Sequence, residues 1–248
     1  MKSNKYLSII LAVLAIAMIG GGCHRRNEAK ERIQAEREAW EASLPDSLKA
    51  VERQTDSLRN EIKQLTGKME ALLPSFEYVN NPREVEGYYI AKEWVASYPL
   101  KSTGLVARLT KGEDLELIAA LSGGAHFNQI RINAGGETAE TSVMPYDQAL
   151  NYRLTNLNIV CFSDSESNTC AELIARNNGG DVKITFLNSG KRTGTLTYPR
   201  KSQELMTETW SLFDTRYRIQ KDERLIPLLA KKGAIISGKI KQTEGNKH

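Results

Sequence analysis

Three cysteines and three histidines supply most of the nucleophilic and metal-binding capacity of this 248-residue chain, and their spacing limits the chemistry open to it. Cys161 and Cys170 flank the stretch FSDSESNT. One ends an apolar run and the other opens a helical one, so they can close a loop of about ten residues, a disulfide worth up to ~3 kcal/mol where unstrained. Two buried thiols fit the same residues equally well, whereas a redox pair favours the shorter Cys-X-X-Cys spacing. Zinc would need further ligands, and neither His126 nor His248 is linked to these cysteines in sequence, so no metal or other cofactor is expected. His24 adjoins Cys23 and His248 stands last, leaving His126 in GGAHFN as the histidine placed to lie in a fold. No nucleophile elbow or zincin motif accompanies it, which argues for a loop histidine in a non-catalytic protein. A hydrolase with a carboxylate pair needs no local motif and stays open as an alternative.

A second chemistry-bearing group is aromatic. EGYYIAKEWVASYPL gathers Tyr88, Tyr89, Trp94 and Tyr98. Flat faces of this kind can stack on sugar rings, which makes a glycan platform one expectation. Packing in a sheet core or a domain junction, with the polar ends wet, is the other.

Cys23 differs from the other two cysteines in what precedes it. MKSNKYLSIILAVLAIAMIGGGC carries Lys2 and Lys5, then an apolar run from Tyr6 to Ile19 interrupted only by Ser8, then Gly20, Gly21 and Gly22. A spanning helix needs roughly twenty apolar residues, and this run is shorter. It suits the h-region of an export signal with small residues at the cleavage point. Gly20-Gly21-Gly22-Cys23 resembles the lipobox of bacterial lipoproteins, with Gly20 where most carry leucine, a relaxed form similar to the Bacteroidetes type. The resemblance implies a diacylglycerol (palmitate-type chains) on the Cys23 sulfur, cleavage just before it, a mature chain that begins at Cys23, and a lipid-anchored place in the bacterial cell envelope. An uncut signal anchor and a soluble exported protein are the other outcomes open to these residues. HRRNEAKE follows, where Arg25 and Arg26 can lie against anionic headgroups or act as a solvated spacer. Surface-exported lipoproteins of the Bacteroidetes carry acidic residues at this point, so the basic start implies a periplasm-facing position.

These groups need a scaffold, and the chain divides into a mount and a head. From Asn27 to Leu73 the sequence is rich in Glu, Lys, Arg, Gln and Ala, a composition that favours helix. Leu48, Val51, Leu58, Ile62, Leu65, Met69 and Leu72 alternate in steps of three and four, with Thr55 the one polar occupant. A 3.5-residue period makes a narrow seam of the coiled-coil kind. Its expected partner is a second copy of the chain or a partner protein's helix, with packing on the chain's own head as the competing reading. Ile33, Trp40 and Leu44 do not continue the seam cleanly, and Pro45 predicts a break or kink between two helical pieces.

After Pro74 the pattern is β-rich. LELIAALSG, FNQIRINAGG, LNIVCF and DVKITFLNSGKRTGTLTYP read as strands and hairpins punctuated by glycine turns, and GAIISGKI reads as a last strand. Thr169 and Glu172 form a capping box for a helix through CAELIARNNGG. SQELMTETWSLFDTRYRIQKDERLIPLLAKK reads as helix with Leu205, Leu212 and Phe213 facing in and Pro227 breaking it.

The expected class is α+β: an N-terminal helical, coiled-coil-like segment followed by a mainly antiparallel β-rich domain with segregated helices, with a β-sandwich-like head as the alternative. The expected organisation is a signal peptide over 1–22, a lipidated N-terminus and first helical spacer over 23–45, a coiled-coil-like helix over 46–73, a globular head over 75–240 and a basic polar tail over 241–248. The formal net charge is +4 and includes Lys2 and Lys5, which gives no case for nucleic acid. Lys231, Lys232, Lys239, Lys241 and Lys247 concentrate positive charge towards the C-terminus, as a solvated tail or as a contact with an anionic polymer or lipid. Together these readings point to a membrane-anchored binding or scaffolding module whose partner is an envelope protein or glycan.

Overall fold

The helix-favouring composition of the mount produces a single helix: α1 runs Cys23–Leu72. The computed structural model describes residues 23–80, 86–112 and 114–245. The expected export signal with its lipobox-like glycines (residues 1–22) and His248 lie outside the described residues, and Cys23 enters only through its backbone in α1. A one-turn 3-10 segment, Leu73–Ser75, follows. The strands β1 (Phe76–Val79) and β2 (Tyr88–Ala91), the short helix α2 (Lys92–Val95), and β3 (Gly104–Thr110), β4 (Leu115–Ser122), β5 (Gln129–Ala134) and β6 (Glu137–Glu140) come next. Then come β7 (Asn151–Leu154), β8 (Leu157–Phe162), the helix α3 (Ser165–Arg176), β9 (Val182–Asn188), β10 (Lys191–Thr197) and the long helix α4 (Arg200–Gly245). The class is α+β, with antiparallel sheets between two long helices.

Contacts divide the described chain into two compact units. Unit 1 takes α1 up to Gln54 and α4 from Leu229; unit 2 takes the chain from Thr55 to Leu228. The expected boundary near residues 73–75 therefore falls inside unit 2.

In unit 1 the partner of the α1 seam is the chain's own α4. Leu44, Val51 and Ile236 are buried against one another, with Leu48, Leu229 and Ile240 packed around them. Gly233 lies where an added Cβ would stand 3.5 Å from Val51 and 3.8 Å from Leu48. Lys239 lies over the Trp40 ring, 4.6 Å from its centroid, so the two helices run antiparallel. Leu229, Gly233, Ile236 and Ile240 repeat the three-and-four step, and this corrects the reading of GAIISGKI as a strand. That octapeptide is β-branched and glycine-flanked, but a helix-spaced seam with a partner in place outweighs local β preference.

Pro45 and Pro227 both lie inside continuous helices, against the expected breaks. A helix-interior proline costs about 3 kcal/mol. Each fully buried Leu or Ile returns roughly 1.5–3 kcal/mol, so the cluster around Leu44 and Ile236 outweighs one such loss. Leu44 is 4% exposed and extends the seam by one more step, which corrects its exclusion; Ile33 and Trp40 stay exposed.

Unit 2 is built on two antiparallel sheets, of order β1-β2-β3-β4-β8-β7 and β10-β9-β5-β6. β4 and β8 are central and almost wholly buried, as their unbroken apolar runs require. β5 alternates half-buried and buried, with Ile130 and Ile132 inward. The β9–β10 turn is two residues, Ser189 and Gly190, both at positive φ, the combination that matches strand twist in a tight hairpin. Gly194 on β10 brings the second sheet against the first: an added Cβ would meet Leu121 of β4 at 2.8 Å. Tyr198 just beyond β10 donates its hydroxyl to the Leu105 carbonyl at 3.0 Å, and complete burial pushes its phenol up. Leu205, Met206 and Leu212 of α4 and Leu173 and Ile174 of α3 join the same core, with Met69 and Leu72 of α1 packed on it.

Helix α3 begins at Ser165, capped by Asp164, whose carboxylate accepts the Ser167 N–H at 2.8 Å. This corrects the Thr169–Glu172 capping box: Thr169 instead donates to the Ser165 carbonyl inside the helix.

Within unit 2, Arg218 of α4 pairs with Glu61 of α1. One turn further along α4, Asp222 is 7% exposed and its Oδ2 has no hydrogen-bond partner. A buried carboxylate oxygen left unpaired costs stability, and it occupies a seam position flanked by Ile219 and Ile226. Replacing it with leucine (Asp222→Leu) is expected to stabilise the fold by about 1–3 kcal/mol in urea unfolding. An unchanged or lowered midpoint would show that the carboxylate is solvated in place.

Candidate functional site

Tyr88, Tyr89, Trp94 and Tyr98 are close together, but they do not form one platform. Successive strand residues point to opposite faces of a sheet, so Tyr88 and Tyr89 part at once. Tyr88 and Trp94 are buried, at 4% and 5% exposure. On their side, Arg108 of β3 lies 4.2 Å from the Tyr88 centroid and donates from Nη1 to the Tyr98 hydroxyl at 2.8 Å and from Nε to Glu116 Oε2 at 2.5 Å. Tyr88 and Tyr98 meet edge to face at 5.7 Å. A guanidinium held between two tyrosines and a carboxylate is a structural knot joining β2, β3 and β4. The expected glycan platform is corrected accordingly: two of its four faces are spent inside the core.

Tyr89 emerges on the other face. Its ring lies 5.0 Å from that of Tyr78, its direct cross-strand partner on β1, and the Arg216 guanidinium lies 5.5 Å from its centroid. Tyr78 is 44% exposed and was not singled out by the sequence; only knowledge of the β1–β2 register brings the two tyrosines together.

Cys161 on β8 and Cys170 on α3 are both buried thiols with no disulfide between them, so of the two arrangements open to the sequence the structure has the buried thiols and not the bridge. Because α3 starts at Ser165, five residues before Cys170, that cysteine sits a turn deeper in the helix than its expected place at the helix start. Burial pushes the Cys170 thiol up to about 12, with the charges of Asp164 and Glu140 adding to it. A thiol so protonated at neutral pH is a core residue and a poor nucleophile.

His126 is exposed, and its Nε2 lies 3.3 Å from Nη1 of Arg153. The neighbour is a cation where a catalytic imidazole would want an orienting carboxylate. Among the described residues no group of His, Cys, Asp and Glu is arranged to hold a metal ion.

Two carboxyls among the described residues have displaced pKa values, and both move down. Hydrogen bonds from the Ala149 and Leu150 N–H groups lower that of Asp147. Partial burial pushes Asp164 up, but hydrogen bonds from the Ser142 hydroxyl and from Ser167 outweigh it and leave the carboxyl below its usual range. An open depression of about 550 Å³ at the β5–β6 turn includes Glu137, Asp181, Asn133 and Lys183. Glu137 is paired with Arg176 at 2.9 Å.

The seam residues Leu48, Val51, Leu58, Ile62, Leu65, Met69 and Leu72 are all buried or half-buried, in contrast to their exposed helical neighbours. Sequence reading missed their counterparts on α4. The signal was present, since Ile226, Leu229, Gly233, Ile236 and Ile240 keep the same step, but Pro227 and two glycines masked it. No helix among the described residues is long and apolar enough to cross a membrane. A scan against protein-family models, a search of the curated proteins and a search of the solved structures each returned no match.

Two outcomes follow for unit 2. Asp164→Ala removes the α3 cap and is expected to cost about 1 kcal/mol at neutral pH. Because the folded pKa of Asp164 is lowered, its carboxylate stabilises the fold above the unfolded value and loses that contribution as pH falls through the folded one. The cost of the substitution should therefore shrink in denaturation at acid pH; a pH-independent cost would refute the cap's role. For Cys170, iodoacetamide labelling followed by mass spectrometry should be slowed on the order of a thousandfold in the native protein at mildly alkaline pH. Prompt native labelling would mean that α3 opens locally.

Proposed function

We propose that this protein is a lipid-anchored lipoprotein of the bacterial cell envelope, periplasm-facing, whose head is a non-catalytic binding or scaffolding module. The observation that carries the reading is the run from Lys2 through the apolar Tyr6–Ile19 segment to Gly20-Gly21-Gly22-Cys23. Two or three acyl chains hold a protein firmly where one would not, at about 0.8 kcal/mol for each buried methylene. The helix pair is then a mount, and the head's exposed surfaces are where an envelope protein or glycan would bind. The Tyr78–Tyr89 pair is the aromatic surface that supports the glycan version of this reading.

The test is the intact mass of the membrane-extracted protein beside a Cys23→Ala version. A species beginning at Cys23, heavier by two or three acyl chains and absent from the alanine version, is the expected result. A cleaved chain without added mass would make the protein soluble and exported. An uncleaved chain would make residues 1–22 a signal anchor. Either outcome overturns the lipoprotein reading.

A further inference from the structure

The start of α1 carries the three-and-four step of the seam on beyond Leu44, with cations among its positions and with Ile33 and Trp40 exposed. Cys23, Arg26, Lys30, Ile33, Arg37 and Trp40 recur in steps of three and four, which places these positions within about 100° of arc on one helix face. Glu28, Glu31, Glu36 and Glu38 fall outside that arc. From Arg26 to Trp40 the positions on that face are cationic or apolar, and Glu41 at its edge is paired with Arg37. Ile33 is 65% exposed and Trp40 is 47% exposed. Arg37 keeps most of its exposure while pairing with Glu41 at 2.9 Å.

Within unit 1, α4 adds charge of the same sign. From Leu229 to Thr243 it contains four lysines and no acidic residue. Lys239 lies directly over Trp40, and Lys241 follows, exposed. The register set by Lys239 and Trp40 brings Gly245, the last described residue of α4, to about the level of Gln34. α1 continues past that point for roughly 16 Å to Cys23. This length of the face therefore has no helix across from it among the described residues. A second copy of the chain would bring positive charge against positive charge.

We propose that this end of unit 1, formed by Lys30, Ile33, Arg37 and Trp40 of α1 with Lys239 and Lys241 of α4, is a binding surface for anionic lipid headgroups. Lysine and arginine on a helix that also exposes isoleucine and tryptophan is the composition of interfacial helices, in which the apolar side chains enter the headgroup boundary and the cations meet phosphates. The inference rests on the reading of Cys23 as a lipid anchor, since an acylated Cys23 would hold this face at the membrane. It adds that the protein discriminates between lipids, which acyl chains alone do not do.

The experiment uses the chain Cys23–His248, which keeps every described residue, with Cys23→Ser so that no acyl chain contributes. Co-sedimentation with phosphatidylcholine vesicles is compared with vesicles containing phosphatidylglycerol, at low and high salt. Retention by the anionic vesicles, lost at high salt and weakened at least about tenfold by the combined Lys30→Glu, Lys239→Glu and Lys241→Glu changes, is the expected result. Those three side chains are exposed. Circular dichroism should show the helix content unchanged, and Ile33→Ser, which alters no charge, should weaken retention by a smaller factor. Equal retention on neutral vesicles, indifference to the charge reversal, or preference for soluble polyglutamate over vesicles would overturn the proposal. Failure here leaves the mass of the native protein untouched, so loss of the lipid surface and loss of the anchor reading are told apart.

Discussion

The burial of Leu44, Leu48 and Val51 against Leu229, Ile236 and Ile240 is the constraint on which the two long helices depend. Neither helix is well suited to stand alone. Each contains an interior proline, each is rich in charge, and the second half of α4 carries two glycines in a single turn and a half. Helices in water gain most of their stability from packing an apolar stripe and little from propensity. Among the described residues of unit 1 each stripe is the other's only large apolar neighbour, so the two helices stabilise one another. Gly233 fits this relation, because the missing side chain lets α4 approach Leu48 and Val51 closely.

Unit 2 follows a different logic, that of a sheet core with an ion pair set deep beside it. Arg108 is 13% exposed at its side chain and Glu116 15%, and a pair so far from water would be costly without further partners. Tyr88 and Tyr98 supply them, one through its ring face and one through its hydroxyl. The aromatic-rich segment is thus tied to β3 and β4 by polar bonds as well as by apolar burial. The surface that remains available on β1 and β2 is the opposite one, where Tyr78 and Tyr89 meet.

Much of this was legible in the sequence because the signals were local. The Asn188–Lys191 turn, the apolar LNIVCF strand, the glycine pairs around β5 and the three-and-four step of α1 are each written within a dozen residues. What escaped notice depended on residues far away. GAIISGKI looks like a strand until a helix from the other side of the chain is laid against Ile236 and Ile240. Tyr88 and Tyr89 look like one cluster until the pleat separates them. The cap of α3 lies five residues before the expected one because Asp164 and Thr169 both satisfy the cap preference, and only the buried positions of Ser167 and Cys170 decide between them. The identity of the seam's partner was the largest gap, since a heptad pattern specifies that a helix will pair but not with which helix.

The pairing of α1 with α4 also has a consequence for the order of events in synthesis. Glu61 and Arg218 are 157 positions apart, and every strand of both sheets lies between them. The ordering entropy of such a long closure is repaid only when the intervening chain has already compacted. Helix α1 must therefore wait, with its apolar stripe uncovered, while the sheets assemble and until the last helix emerges. A chain interrupted before Leu229 would display the seam residues Leu44, Leu48 and Val51 bare. Late closure of this kind makes the helix pair a sign of completed synthesis, and an uncovered seam a mark by which chaperones and proteases can recognise an unfinished copy.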